Sequence, residues 1–416
     1  MKIRIIGCGF FCIFAPRFFK VKDIEFLRRQ IVKRFLPLIL LTIAGFTFNT
    51  SELTPIGLLS DIAADFGVTE AHAGLLITIY AWVVACLSLP LMLWCAKMDF
   101  RRLLLCVVAL FFVSHIGSVL STGFWTLMLL RIGVATAHSL FWSIAPTMAV
   151  AVSPDGRRST ALSALVAGGG VALVAGLPLG RVLGLLAGWR VTLGSLGLLS
   201  FLILIGLYFF FPSIARSGQD ESRGRMLKDI IKSRPLLMVY FITAVIVTGH
   251  YTGYSYIEPF MDSILHIEAK AITFTLCLFG IAGLAGSFLM TRYFPRHPRI
   301  IISTACMSLP VIMLLLLPGA RLGLIVLAFI CILWGLAITV YNIAFQNEII
   351  VLSPHNSVVA MSIYSGIFNL GIGAGAFTGG IVCERGMMAD IGYVGGTIAL
   401  AAAFIFLPEA IMSDKD

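Results

Sequence analysis

Apolar stretches of about 20 residues recur along the chain, separated by short polar turns. Twelve can be marked, near 36–58, 73–95, 102–121, 125–150, 160–187, 191–212, 235–258, 271–291, 299–318, 322–346, 357–382 and 389–410. Each is long enough to cross a hydrocarbon core of roughly 30 Å as a helix. The pattern therefore predicts an all-α membrane protein with twelve transmembrane helices, here called spans 1 to 12. The longest polar break, SIARSGQDESRGRMLKDIIKSR at 213–234, divides it into two six-helix halves, 35–212 and 235–411, with a tail at 412–416. Residues 1–34 form a basic N-terminal extension. Its apolar patch, IIGCGFFCIFAP, is too short to span and is followed by Lys20, Lys22, Arg28, Arg29, Lys33 and Arg34. It reads as an interfacial anchor or an unstructured extension, with a cleaved signal peptide as the alternative, although no small-residue cleavage site follows.

The second half echoes the first. Ser153-Pro154 is answered by Ser353-Pro354, Ala161 and Ser163 by Ala360 and Ser362, and Gly176 and Gly180 by Gly375 and Gly379 at an offset of 199. The stretch Ser163–Arg190 is apolar enough to span yet crowded with glycine. Gly176, Gly180, Gly184 and Gly188, at four-residue spacing, lay a bare strip on one helix face where a neighbouring backbone can approach. Shared by both copies, that strip is expected to make close contact between the halves. Pro178 inside it removes a backbone donor and predicts a bend. Buried charge is not repeated: Arg131 falls on Cys331, His138 on Ile338 and Arg181 on Gly380.

Composition agrees with a bilayer environment, at 59% hydrophobic and 12% charged residues. The net charge of +10 does not indicate nucleic acid, because the basic residues are distributed by loop. With a cytoplasmic N-terminus, only Arg190, Lys270, Arg321 and Arg385 fall in outside loops, and the even span count returns the C-terminus to the cytoplasm. The nine cysteines lie mostly inside apolar spans without a CxxC pair and read as small apolar residues. No GxSxG, HExxH or paired-cysteine signature is present, and Gly371-Ile-Gly373-Ala-Gly375 lacks the preceding strand of a nucleotide fingerprint. Neither an enzyme site, a metal nor a cofactor is expected.

Glu52 is the one carboxylate clearly inside a span. An acid at mid-helix costs roughly 2.5–3.5 kcal/mol on insertion scales, so it is retained to face a cavity, a partner or a proton path. A structural ion pair is the plainer alternative. Arg131 in span 4 approaches a similar depth and is its expected partner, since an unpaired buried guanidinium is expensive. His138, seven residues on, shares that helix face; it is either a relay or a hydrogen-bonded packing residue. Polar and aromatic groups offer hydrogen bonds to a hydroxylated ligand: Asn49, Trp142, His250, Tyr251, Tyr254, Glu258, Asn342, Gln346 and Asn369. Taken singly, each is as well explained by interhelical hydrogen bonding.

Together these residues resemble the major facilitator superfamily and, within it, the drug and sugar:proton antiporters. The span 5 antiporter motif is matched by Gly176, Pro178, Gly180 and Arg181, with Leu177 inserted before the proline; the span 4 motif is matched by Arg131-Ile-Gly133. In the loop between spans 2 and 3, AKMDFRRL keeps Arg101 and Arg102, but Lys97 stands at the family's Asp position and Asp99 is the nearby carboxylate. LLITIYAWVVACLSLP, RIGVATAHSLFWSIAP, GLPLGR, HYTGYSYIEPF and SGIFNLGIGAGA are similar to bacterial sugar efflux transporters over roughly residues 36–400. The resemblance implies a bacterial inner-membrane exporter, expected as a monomer, that moves small sugars such as arabinose or galactosides against proton entry by alternating access. Pro178 and Arg181 would shape the outer end of the pathway and limit proton leak. A multidrug:proton antiporter and a non-transporting receptor or scaffold are the alternatives.

Overall fold

The computed structural model describes residues 21–95, 98–153, 158–213, 230, 232–294, 296–353 and 357–412. Lys97, most of the extension and of the 213–234 break, and the end of the tail lie outside the described residues. Every regular element described is helical. Among the described residues, nine helices are long and apolar enough to cross a membrane, and Leu177–Ala187, Pro298–Leu314 and Met388–Phe404 are shorter apolar helices. Together they place helix at all twelve spans. Large side chains such as Trp125, Leu129, Leu186, Phe209 and Ile325 are exposed. A lipid-facing surface tolerates this, because hydrocarbon is as apolar as leucine.

Span 1 belongs to a helix described over Val21–Gly57, already formed well before the apolar run. No Pro or Gly interrupts residues 21–35, so nothing in the backbone stops the helix there. After Gly57 a short helix, Leu59–Phe66, ends where Gly67 turns left-handed at φ 63° and its N–H reaches back to Ala63 and Ala64 carbonyls. Glycine takes that conformation without the clash other residues meet.

Span 5 is α-helical over Arg158–Val171, π-helical over Ala172–Gly176, and α-helical again over Leu177–Ala187. The wider turn stands directly before Pro178, whose ring and missing N–H disfavour a regular i→i−4 ladder. Span 7 is interrupted at Ser255 and Tyr256, then resumes as the short helix Ile257–Pro259 and a π turn, Phe260–Ile264.

The glycine strips do not join the halves at the repeated positions. A Cβ at Gly176 would stand 2.6 Å from Thr50 Oγ1, and Gly180 faces Thr54, both on span 1. Gly375 faces the Thr248 carbonyl and Gly379 the Thr252 carbonyl, both on span 7. At these positions the repeat is a contact within each half, span 5 on span 1 and span 11 on span 7, while the same helices also pack across the seam, span 5 on span 8 and span 11 on span 2. Each strip lets a neighbouring backbone of its own bundle approach, and that local need recurs because the two bundles are built alike.

The halves also share apolar core. One apolar cluster, including Leu41, Phe48, Val108, Phe111 and Phe141, lies wholly within spans 1–6. A second, built around Trp334, Tyr341 and Phe260, also takes in Leu53, Ile56, Leu59, Ala73, Ile77 and Leu177 from the first half. These last residues all come from the ends of spans 1, 2 and 5 remote from the Arg101–Arg102 loop. The core is therefore continuous between halves at that far end.

Candidate functional site

Phe48 fixes how span 1 is rotated. Its ring is stacked on Phe111 of span 3 and Phe141 of span 4, with centroids 3.9 and 4.3 Å apart. With Phe48 held there, Asn49 and Glu52, three residues apart and therefore on one helix face, are presented to span 4. Two contacts follow at helical spacing on both sides. The Trp142 indole N–H donates to Asn49 Oδ1 at 3.0 Å, and His138 Nε2 lies 3.7 Å from Glu52 Oε2. The glutamate side chain is 20% exposed while the histidine is 5% exposed, so Glu52 is the less enclosed of the two. Gly169 of span 5 lies against both Asn49 and Trp142, where a side chain would collide with the Asn49 amide.

Arg131 is not the direct partner of Glu52. Its Nη1 donates to the Ser51 carbonyl at 3.1 Å and to Ser51 Oγ at 3.3 Å, and its guanidinium carbon lies 4.4 Å from the Tyr80 ring centroid. Nε and Nη2 have no hydrogen-bond partner, and the ring face takes that place. The reason is register: Arg131 stands two turns, about 10 Å, beyond His138 along span 4, so histidine reaches Glu52 first. The arginine reaches the adjacent residue instead. Ser51 Oγ also lies 2.9 Å from His115 Nε2, and His115 Nδ1 lies 2.9 Å from the Phe111 carbonyl. A carbonyl can only accept, so Nδ1 carries the proton and Ser51 donates to Nε2. Arg131, Ser51 and His115 thus form one directed chain beside the carboxylate. Neither Ser51 nor His115 stands out in the sequence; the only signal for His115 is a lone histidine within an apolar span.

In the second half, Asn342 Oδ1 accepts from Gln346 Nε2 at 3.0 Å and from Tyr364 Oη at 2.9 Å. Asn342 and Gln346 are half-buried. Asn342 follows Trp142 by 200 residues, so corresponding places on spans 4 and 10 both carry a polar contact. Tyr364 is a further residue that the sequence does not single out. His250 and Tyr254, by contrast, are closed into an aromatic cluster: Trp334 Nε1 donates to His250 Nδ1 at 2.9 Å, and Tyr254 stacks on Phe279. Tyr251 packs edge-on to His250 and is nearly buried. Asn369 donates to the Ser365 carbonyl, and its buried Oδ1 has no hydrogen-bond partner.

Glu258 stands away from this group. It pairs at 2.8 Å with Arg181 at the far end of the molecule, both side chains being almost completely buried. On the opposite side, Asp99 caps the span 3 helix by accepting from the Arg102 N–H at 3.0 Å, and also accepts from Ser213 at 3.0 Å. The Arg102 N–H, with the Ser213 hydroxyl, holds its carboxyl below the usual range. Arg101 Nη2 donates to the Tyr208 carbonyl. The loop between spans 2 and 3 is thereby tied to the end of span 6, within its own half. Among the described residues, no three His, Cys, Asp or Glu stand close enough to hold a metal ion.

A family model described as Major Facilitator Superfamily matches residues 39–376. Among solved structures, the chain is similar to a bacterial homologue of the human lysosomal transporter Spinster, inward-facing and unoccupied. That match has a TM-score of 0.70 at 16% identity and covers 89% of this chain and 92% of the other. The inward-facing, occupied form of such a homologue matches with a TM-score of 0.68 at 18% identity over the same shares.

Proposed function

This chain belongs to the Major Facilitator Superfamily, and on that premise we propose that it exports small sugars, arabinose- or galactoside-like, in exchange for protons. It would lie in a bacterial inner membrane as a monomer with both termini cytoplasmic, the Lys- and Arg-rich loops facing inward. The two halves alternate access to a site between them.

The observation that carries the reading is the ladder between spans 1 and 4. Glu52, whose side chain is partly exposed, stands one turn from the Asn49–Trp142 pair. A proton bound at Glu52 and a hydroxylated ligand bound at Asn49 would be near neighbours, so the charge state of one affects the binding of the other. Trp142 offers an aromatic face for a sugar ring, and Asn342, Gln346 and Tyr364 offer donors and acceptors from the other half. Arg131 bears on Glu52 at longer range, through charge and through Ser51. One charge moving down 100 mV supplies about 2.3 kcal/mol, enough for a roughly 40-fold sugar gradient before any pH difference is added.

Inverted vesicles energised by respiration provide the test. The parent chain accumulates labelled arabinose or a galactoside and collapses part of the pH gradient when sugar is added. Glu52→Gln should lose the coupled accumulation. Unchanged proton-driven accumulation in Glu52→Gln would remove Glu52 as the carrier, and transport of lipophilic drugs without sugar would favour the multidrug reading.

A further inference from the structure

Span 2 of the first half packs on span 11 of the second. A Cβ at Gly380, Gly373 or Gly366 would stand 3.6, 3.0 and 3.8 Å from the carbonyl oxygens of Ala71, Thr78 and Ala85 respectively. Each step of seven residues forward along span 2 is thus matched by seven back along span 11, so the two helices run antiparallel in a fixed register. These glycines form a second strip on span 11, separate from Gly371, Gly375 and Gly379, which face span 7. At the far end of the strip, Tyr256 of span 7 fills the space left by Gly74 and Gly380 and donates to the Ala376 carbonyl at 3.1 Å.

The register sets Trp82, four residues beyond Thr78, level with Asn369, four residues before Gly373. Each carries a buried polar atom with no protein partner, Trp82 Nε1 and Asn369 Oδ1. Thr78 Oγ1, one turn from Trp82, is a third. Thr78 and Asn369 are only 1% and 8% exposed. The Asn369 amide cannot exchange its two ends, because Nδ2 donates to the Ser365 carbonyl at 3.0 Å and a carbonyl only accepts. Nor do the indole and the amide meet directly. Trp82 Cδ1 and Nε1 occupy the place that a side chain at Gly373 would take, one turn, about 5.4 Å, from Asn369 on the same strip. A direct N–H···O bond spans about 3 Å, whereas two bonds sharing one oxygen span about 4.5–5.5 Å.

We propose that this seam holds one hydroxyl group, of a water molecule or of the cargo, which accepts from Trp82 Nε1 and Thr78 Oγ1 and donates to Asn369 Oδ1. The inference goes beyond the export reading and stands on the seam alone. A hydroxyl oxygen has two lone pairs and one proton, and the site presents two donors and one acceptor. A carbonyl or carboxylate has no proton for Asn369 Oδ1, and an ammonium has no lone pair for Trp82. Three bonds are also what a buried water typically makes. Without the hydroxyl, three desolvated polar atoms are left where the halves join, an arrangement folded proteins avoid. Gly373 is part of the site, because any side chain there would push the indole edge away.

NMR of the full chain in lipid nanodiscs, labelled with nitrogen-15 at the tryptophan indoles, tests the site. The chain has six tryptophans, and the Trp82 signal is the one missing from Trp82→Phe. A resident water should give the Trp82 indole proton a downfield, hydrogen-bonded position and a cross-peak to water in the absence of cargo. Asn369→Leu should move the signal upfield and weaken the cross-peak severalfold, and Thr78→Val, nearly isosteric, should do so to a lesser degree and serves if the first variant fails to fold. Addition of a galactoside separates the two sources. A cross-peak that persists assigns the hydroxyl to water. One that vanishes while the proton stays downfield, or a downfield position that arises only with galactoside, assigns it to the cargo. An indole proton at the unbonded position with and without galactoside, or one unmoved by both variants, would overturn the proposal. Because the water result needs no cargo, failure of sugar export in vesicles leaves it interpretable.

Discussion

Arg131 donates to the carbonyl and hydroxyl of Ser51 while the neighbouring Glu52 is approached by His138. The guanidinium is thereby anchored one residue away from the carboxylate it influences, with Tyr80 beneath it. Lysine can supply the charge and a donor but not the planar stacking on Tyr80. Arg131→Lys is accordingly expected to fold and to lose about tenfold or more in coupled flux, and Ser51→Ala to lose several-fold because His115 then lacks its donor. Flux in proteoliposomes under an imposed pH gradient checks both, and parental rates in Arg131→Lys would leave the anchor without a transport role.

Asn49 and Trp142 are joined by one hydrogen bond, so their contributions to ligand binding should not add. Asn49→Ala and Trp142→Phe are each expected to weaken sugar binding by about tenfold, with a coupling of about 1 kcal/mol in the double variant. Equilibrium binding of labelled sugar to the purified protein gives all four corners of the cycle. Additive losses would mean that the two side chains act on the ligand separately.

The two repeated glycines predict unequal outcomes despite their equivalent places. At Gly375 a methyl group would overlap the Thr248 backbone carbonyl, which cannot turn away; at Gly176 it would meet the Thr50 side chain, which can shift at some cost. Gly375→Ala should destabilise by about 1–3 kcal/mol and Gly176→Ala by less. At Gly170 no such neighbour stands within 4 Å, and Ala there should be neutral or mildly stabilising. Thermal unfolding of the three variants in one detergent orders them.

How far the sequence reaches follows from the physics at each level. The twelve spans are legible because lipid demands length and apolarity, which one dimension records well. The partners of buried groups are not, because they depend on helix rotation. Depth alone brings Arg131 near Glu52, but stacking of Phe48 on Phe111 and Phe141 decides which residues of span 1 face span 4. Glu258 reads as part of a ligand site because tyrosines and a histidine precede it. The interruption at Ser255 and Tyr256 carries it away, and Pro259 is the only local hint of that break. Arg181 is visibly without a counterpart in the repeat, yet its partner lies in the other half, where no spacing rule points.

Asp99 makes a prediction about the opposite side. It is a helix cap whose carboxylate is held below its usual range by the Arg102 N–H first and the Ser213 hydroxyl after it. A depressed value means that the carboxylate favours the folded state above the unfolded pKa, and that this contribution is lost as pH falls through the lower folded value. Asp99→Ala should cost about 1 kcal/mol near neutrality, typical of a lost cap. The difference between variant and parent should shrink in acid, as melting curves at several pH values would show. A difference that persists undiminished there would mean the cap does not act through its charge.

Tyr256 and Gly74 belong to different halves, yet the tyrosine hydroxyl occupies the volume that any larger residue at position 74 would claim. Neither half can therefore change its sequence at this seam without regard to the other. A hybrid that joins the first six spans of a relative to the last six of this chain would need glycine, or a compensating smaller residue at position 256, to assemble closed. Recombination between such proteins is constrained here by shape, at a place that touches neither ligand nor proton.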